Sequence, residues 1–556
     1  MQKVFALFFF LFTLCPLVAQ QTIGLFLNDS TAYNGYTLFP TTSSMQTHLI
    51  DNCGELVHLW NSEFQAAMQA YLLEDGRLLR AERVPNSFNA GGSGGRIALF
   101  DWDSNLLWGF NYSNDSVHQH HDVEYLPNGN ILVLAWEAKT VEEATEAGRD
   151  LSITSVEGLW PDHIVELEVL ENNETNIVWE WYVWDHLIQD FDATKANYGV
   201  IEAHPELIDL NKIPLSNSVG GGTADWNHIN AIDYNPELDQ IILSCRNFNE
   251  VWIIDHSTTT EEAAGHSGGN SGKGGDLLYR WGNPAMYNQG SPEDQKLFAQ
   301  HDAHWIEPGL PDAGKIMIFN NGPGRPEGNF SSVDIIEPEI DGNGQYVKEA
   351  GIAFGPNTLS WTYQSDPPSN FFEQRVSGAQ QQPNGNVLIC AGRTGTFFEV
   401  NVVGDTVWRY TNPISSFGAV TQGNQNSGGA TFRVYRYAPD YPALVDKDLM
   451  PMGPLELGPL PSDCQIYEDV TTNTVEVRPK PAKIYPNPFD QFIQLQIEGE
   501  QSLEISIFNL QGQKISSTLV NEGIQHLDTS LWPRGIYLMR AINQSGQMVF
   551  TEKLLK

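Results

Sequence analysis

Two short patterns recur along this chain, and together they leave few folds open. The first is an apolar pair, then an aromatic or His, then any residue, then an aromatic. It reads Leu56-Val57-His58-Leu59-Trp60, Leu106-Leu107-Trp108-Gly109-Phe110, Ile177-Val178-Trp179-Glu180-Trp181 and Leu277-Leu278-Tyr279-Arg280-Trp281, with looser copies at Leu359–Tyr363 and Thr406–Tyr410. The second is a turn followed by a strand, Pro-Asn-Gly-Asn-Ile-Leu at Pro127–Leu132. It returns at Pro383–Leu388 and more loosely at Glu74–Leu79, Pro236–Ile242 and Pro311–Ile316. Apolar and aromatic runs bounded by Pro, Asn, Asp and Gly are strand and hairpin signals. A small sheet cannot bury both of its faces alone, so sheets that repeat every few tens of residues stack around an axis or along a line. Six aromatic strands predict an all-β, six-bladed β-propeller. The intervals are uneven and imply insertions. The largest, Trp184–Thr223, is partly helical by period and is expected to cover one mouth of the channel.

The two ends of the chain read differently from this ring. Lys3 precedes an apolar run from Val4 to Leu14, with small residues near Val18-Ala19. Residues 1–20 therefore read as a secretory signal peptide, too short to span a membrane. Cys15 follows Leu14 where a lipidation signal wants a small residue. No later stretch reads as a membrane span. The ring is expected over 21–465, a Thr-, Val-, Pro- and Lys-rich linker over 466–483, and a small C-terminal β-sandwich over 484–556. The formal net charge of -39 argues against nucleic acid and anionic membranes as partners, because both would repel it.

Four cysteines follow the leader. Cys245 and Cys390 sit inside apolar strands and are expected to be buried and reduced. Cys53 and Cys464 lie in polar turns at opposite ends of the ring. Export permits disulfides, so these two are expected to bond and clasp the first and last turns of the circle.

Polar heads precede the inner hairpins: His118-Gln119-His120-His121-Asp122, Asn227-His228-Ile229-Asn230, Gln300-His301-Asp302-Ala303-His304 and Ser377-Gly378-Ala379-Gln380. His121, His228 and His301 thus hold comparable places in three units, and a ring would bring them toward one axis. Arg246, Arg325 and Arg393 follow the paired strands. Imidazole and guanidinium at the floor of a channel suit a tetrahedral anion such as sulfate or phosphate. A histidine that only caps a blade turn is the alternative. No H-x-x-x-H or C-x-x-C spacing supports a metal, and no cofactor is expected.

The stretch DWNHINAIDYNPELDQIILSCRNFNEVWIID at Asp225–Asp255, with QHDAHW and NNGPGR, resembles the bacterial arylsulfate sulfotransferases. The resemblance runs from about Asn52 to Tyr441. It implies a six-bladed propeller that moves a sulfuryl group from a phenolic ester to another phenol without a nucleotide donor. It places sulfuryl binding and transition-state stabilisation on His228, His301 and Arg325. The ring geometry, independently of the resemblance, adds His121, Arg393 and Arg433 as expected substrate contacts at the same channel mouth. The sulfate-accepting His of that family lies in its last blade. Here that place reads Ala430-Thr431-Phe432-Arg433, and no His occurs between His304 and His526. Transfer by another histidine such as His228 or His301, direct transfer, or a non-catalytic surface propeller that binds sulfated glycans or phenolics all remain open on that reading. The tail, from Ile484-Tyr485-Pro486-Asn487-Pro488-Phe489 through Arg534-Gly535-Ile536-Tyr537-Leu538 to Lys556, resembles the C-terminal sorting domain of the type IX secretion system. It implies that secretion machinery as a partner, and delivery to the cell surface or beyond.

Overall fold

The structure, a computed structural model, describes residues 21–556 apart from 43, 171–172, 214–223, 426–427, 468–481, 486–488, 490, 498–502, 510–513, 521–522, 531 and 544–547. The signal peptide and most of the linker therefore lie outside the described residues. The chain divides into two compact units that part after Glu468.

Among the described residues, the first unit is built around six antiparallel sheets of four or five strands. In blade 2 the strands run Ala66–Leu72, Leu78–Arg83, Gly95–Phe100 and Leu106–Asn111, each bonded to the next. Blade 3 is Val117–Tyr125, Ile131–Glu137, Asp162–Val169 and Thr175–Tyr182. Blade 4 is Ile229–Asn235, Gln240–Cys245, Glu250–Asp255 and Tyr279–Trp281, and blade 5 is His301–Trp305, Ile316–Asn320, Ser332–Ile336 and Trp361–Tyr363. The first strand of each of these sheets packs against the first strand of the next, which makes them the inner wall of a six-bladed β-propeller.

The recurrent sequence patterns map onto fixed places in this ring. The turn-and-strand copies are the hairpins between first and second strands, and the aromatic copies are the fourth strands. Their large rings fill the space between blades, as Trp181 does beside Trp252 and Leu243 in one core cluster. Fully burying one such side chain contributes about 1.5–3 kcal/mol.

Ring closure uses strand exchange at both ends. Tyr435–Tyr437 pairs with Tyr36–Pro40 and supplies the inner strand of blade 1, whose other strands are Gln46–Ile50 and Leu56–Asn61. Gly24–Asn28 adds a fifth strand outside Thr406–Thr411 in blade 6, which begins with Gly378–Gln381. Cys53 and Cys464 are bonded, with Cα atoms 5.7 Å apart, and Cys245 and Cys390 are free and buried. Cys464 belongs to an unpaired segment rather than to a strand, so the disulfide reinforces a ring that hydrogen bonds already close. The described part of the large insertion forms 3-10 turns at Val183–His186 and Ile201–Ala203 and a two-residue parallel pair, not an α-helix. Its apolar residues Leu187, Ile208 and Leu210 join the cluster between blades 3 and 4, which explains a helix-like period without a helix.

The second unit has two antiparallel sheets, one of three strands and one of four. Ile493 and Leu495 of the first share a buried core with Ile505, Ile507, Met539 and Leu554 of the second, as in a small β-sandwich.

Candidate active site

The inner strands depart from regular pairing at one recurrent place. In blade 3, Val123 pairs with Val133 and Gln119 with Ala135, so His120, His121 and Asp122 together oppose one residue. In blade 4, Asn230 and Ala231 fall in a similar break, and in blade 5 Asp302 and Ala303 do. Bulges re-aim side chains, and these carry the polar heads. His121 and His228 also adopt positive φ, 51° and 52°. Such backbone strain in non-glycine residues clusters at functional sites. Gly92 lies flat against the His121 ring: a Cβ there would come within 2.0 Å of Cε1, so only glycine fits.

The result is a meeting of histidines from different blades. The rings of His121 and His228 are 4.6 Å apart, edge to face. Phe432, fully buried, lies 5.9 Å from the His121 ring and 6.3 Å from that of His301. It belongs to the Ala430–Arg433 run, where the resemblance leads one to expect a histidine.

Each histidine is fixed differently. His228 Nδ1 donates to Asp225 Oδ2 at 2.5 Å, and Trp136 Nε1 donates to the other oxygen of that carboxylate. His228 therefore turns the lone pair of Nε2 outward. His121 ends a chain in which its Nδ1 lies 2.8 Å from His120 Nδ1, and His120 Nε2 lies 2.8 Å from Asp162 Oδ1. With Asp162 ionised, His120 Nε2 donates to the carboxylate, His121 Nδ1 donates to His120 Nδ1, and His121 Nε2 is an acceptor. Burial and the nearby Asp225 push the Asp162 carboxyl well above its ordinary range. When His121 Nε2 takes up a proton, the hydrogen on its Nδ1 moves to His120 and that on His120 Nε2 moves to Asp162; when Nε2 gives the proton up the shifts reverse, so the imidazole serves as base or acid without net charge. Among the described residues, Nε2 of His121 and of His228 has no hydrogen-bond partner. Burial holds His121 well below its usual pKa, and His228, His120, His301 and Arg433 push the same way. His301 is lowered too, by burial first and then by Arg246. Both of its nitrogens are engaged: Nδ1 donates to Asn321 Oδ1 at 2.7 Å, and Nε2 accepts from the Val376 N–H at 3.2 Å.

The arginines divide into three kinds. Arg433 is a strut: it pairs with Asp122 and Asp302 at 2.7 and 3.0 Å and donates to Asn230 O, tying the inner strands of blades 3, 4 and 5. Its charge is already balanced. Arg393 is half exposed, 3.7 Å from Glu373. Arg246 and Arg325 carry no ion pair among the described residues. Arg246 follows the second strand of blade 4; its backbone N–H donates to His228 O, and its guanidinium donates to Asn247 Oδ1 at 2.9 Å. Burial brings its guanidinium down to about 10, against the pull of Asp225. Arg325 donates to Ser332 Oγ and lies over the Phe330 ring. Arg246 was visible in the sequence as one of three strand-following arginines. Asp225 was visible in the Asp-Trp-Asn-His run. His120 and Asp162 carried no such signal as partners, because they meet from different strands.

The model of the arylsulfotransferase (ASST) family matches residues 24–433. The chain belongs to the arylsulfotransferase family. The secretion-system C-terminal sorting domain matches residues 483–556, and this arylsulfotransferase-family protein is exported to the cell surface or the extracellular space. No helix among the described residues is long and apolar enough to cross a membrane. No curated protein matches the chain. Solved structures that are similar at low identity include a protein of unknown function from Bacteroides caccae, with 10% identity, 72% of this chain and 98% of that one covered, and a TM-score of 0.38. The β-propeller domain of Swd1 from Myceliophteria thermophila has 9% identity, coverage of 70% and 90%, and a TM-score of 0.34. An inactive virginiamycin B lyase from Staphylococcus aureus has 10% identity, coverage of 71% and 90%, and a TM-score of 0.30. The six-bladed architecture of the arylsulfotransferase unit stands on its own strand order.

Proposed function

We propose that the protein transfers a sulfuryl group from an aryl sulfate to a phenol, with His228 as the group's carrier and His121 as acid and base. The observation that carries this reading is the His121–His228 contact, in which both Nδ1 atoms are tied back and both Nε2 atoms are without a partner among the described residues.

The His228 Nε2 lone pair forms a bond to sulfur while the bond from sulfur to the aryl oxygen breaks. The departing oxygen keeps the electron pair and takes the proton of His121 Nε2, while His121 Nδ1 takes a proton from His120 and His120 Nε2 takes the one held by Asp162. An acceptor phenol then attacks sulfur, the N–S bond breaks, and the phenolic proton returns to His121. Arg246 and Arg325 supply charge to the sulfuryl oxygens, where Arg is favoured for its forked donors. His301 holds the wall of the site through Asn321 and Val376. Phe432 leaves no imidazole in the last blade, so the carrier role falls to another histidine.

Release of nitrophenol from para-nitrophenyl sulfate tests the reading. Phenol-dependent release and a sulfo-adduct on the His228 peptide, trapped without acceptor and seen by mass spectrometry, are the expected results. His228→Asn should abolish the adduct. Bound but unturned ester, with no adduct, would assign the ring to holding sulfated glycans or phenolics.

The domain reading follows the same line: the tail from 484 onward serves export, and the ring alone carries the chemistry.

A further inference from the structure

A second cluster lies away from these inner strands, at the outer edges of blades 3 and 4. His186 ends the 3-10 turn that follows the last strand of blade 3. His266 and Asp276 belong to the glycine-rich segment between the third and fourth strands of blade 4. One ligand atom from each lies within 4.8 Å of the others. His186 Nδ1 and His266 Nδ1 both approach the same oxygen, Asp276 Oδ1, at 2.8 Å.

The other side of His186 is what makes this arrangement informative. Its Nε2 lies 2.9 Å from Ala263 O. A carbonyl oxygen only accepts, so Nε2 carries the hydrogen. In the neutral ring Nδ1 then presents a lone pair to a carboxylate oxygen, two acceptors face to face, in a side chain with no exposed surface. A cation between them removes the conflict. An imidazole whose far N–H is held by a backbone carbonyl, with its near lone pair aimed at the metal, is the usual outer support of a metal-bound histidine.

The surrounding chain is built to hold that geometry. A Cβ at Gly275 would come within 2.0 Å of Ala263 O and 2.7 Å of His186 Nε2. Trp181 donates its indole N–H to Gly275 O at 2.7 Å, and its ring stacks on His186. His266 is largely exposed, with 62% of its side chain accessible, so a fourth ligand position opens to water.

We infer that His186, His266 and Asp276 bind one divalent transition-metal ion of the zinc type. Two imidazoles, one carboxylate and a water form a tetrahedral set suited to zinc. Tetrahedral zinc spaces its ligand atoms by roughly 3.3 Å, so the two Nδ1–Oδ1 separations of 2.8 Å widen by about half an ångström on binding. The ion fastens the glycine-rich segment of blade 4 to the end of blade 3. It takes no part in the sulfuryl chemistry proposed above.

Zinc and cobalt(II) are the probes, with the full chain stripped by chelator and then reloaded. One equivalent of zinc should survive gel filtration and raise the melting temperature by several degrees. Cobalt(II) should give the intense visible bands of a tetrahedral site. His266→Ala, an exposed change that leaves the fold intact, should lose the bands and the thermal shift. Asp276→Asn should do the same. The proposal is overturned if zinc neither binds nor stabilises, or if His266→Ala binds zinc as the parent does. It is also overturned if NMR of the zinc-loaded chain shows hydrogen on both nitrogens of His186, which would make the cluster a plain ion pair.

Discussion

The imidazoles of His121 and His228 meet edge to face, with planes at 71° and ring centres 4.6 Å apart, although they stand on different blades. One is backed by a histidine and a carboxylate in series, the other by a carboxylate directly. That asymmetry gives the two rings different chemistry from the same residue type.

Asp162→Asn should therefore lower kcat by about 10²–10⁴ while leaving KM within a few fold, because it stops the proton chain and not the binding of the ester. Steady-state kinetics with para-nitrophenyl sulfate and a phenol acceptor measures both. A large rise in KM with kcat preserved would mean that Asp162 serves only to shape the site.

Arg433 and Arg325 should separate cleanly. Arg433→Ala leaves Asp122 and Asp302 buried without their cation, and breaking such a pair costs about 3–5 kcal/mol. A marked fall in melting temperature is expected. Arg325→Ala should leave the melting temperature nearly unchanged and weaken turnover by about a hundredfold. Calorimetry beside the kinetic assay tests the pair.

Loss of the disulfide should be a matter of stability alone. Its two ends are 411 residues apart in sequence, and removing a native crosslink of this kind typically costs 2–4 kcal/mol, as a rough figure. Cys464→Ser should unfold at lower denaturant than the parent, with the same specific activity. Mass mapping should find Cys245 and Cys390 as free thiols in both.

His48 provides a test of pH. Burial, and then the Arg80 charge, lower its pKa from the ordinary 6.5 to about 3. The folded value lies below the unfolded one, so the unfolded chain binds the extra proton first as pH falls. The stability that neutral His48 contributes is complete above pH 6.5 and is lost through the window from 6.5 to 3, at up to about 1.4 kcal/mol per pH unit. His48→Phe, beside Phe39, removes this one contribution. Its melting temperature should fall less steeply between pH 6 and 4 than that of the parent. Parallel curves would show that His48 is protonated in the fold.

Much of the ring was legible because its strands carry short, local signals. The five turn-and-strand copies mark five inner hairpins, and the aromatic copies mark the fourth strand of all six blades. The sixth hairpin had no copy because its two strands, Tyr36–Pro40 and Tyr435–Tyr437, come from opposite ends of the unit and no turn joins them. The heads around His121, His228 and His301 were legible by their shared place before a hairpin. Their supports were not. His120 meets Asp162, 42 residues away, only through the register of blade 3, and Arg433 gave no local sign that two carboxylates would claim it. The cluster of His186, His266 and Asp276 was hidden for the same reason, since metal-ligand spacing in sequence is informative only when the ligands share a turn or a hairpin.

The strand Tyr435–Tyr437, which completes blade 1, also orders events in time. It is among the last parts of the ring to be synthesised, and the sorting domain follows it. Any chain that bears the export tag already owns its closing strand. A chain cut short by a premature stop before Tyr435 lacks both, and is left behind by the secretion route without any need to inspect its fold. Placing the tag after the closing strand makes delivery conditional on completeness.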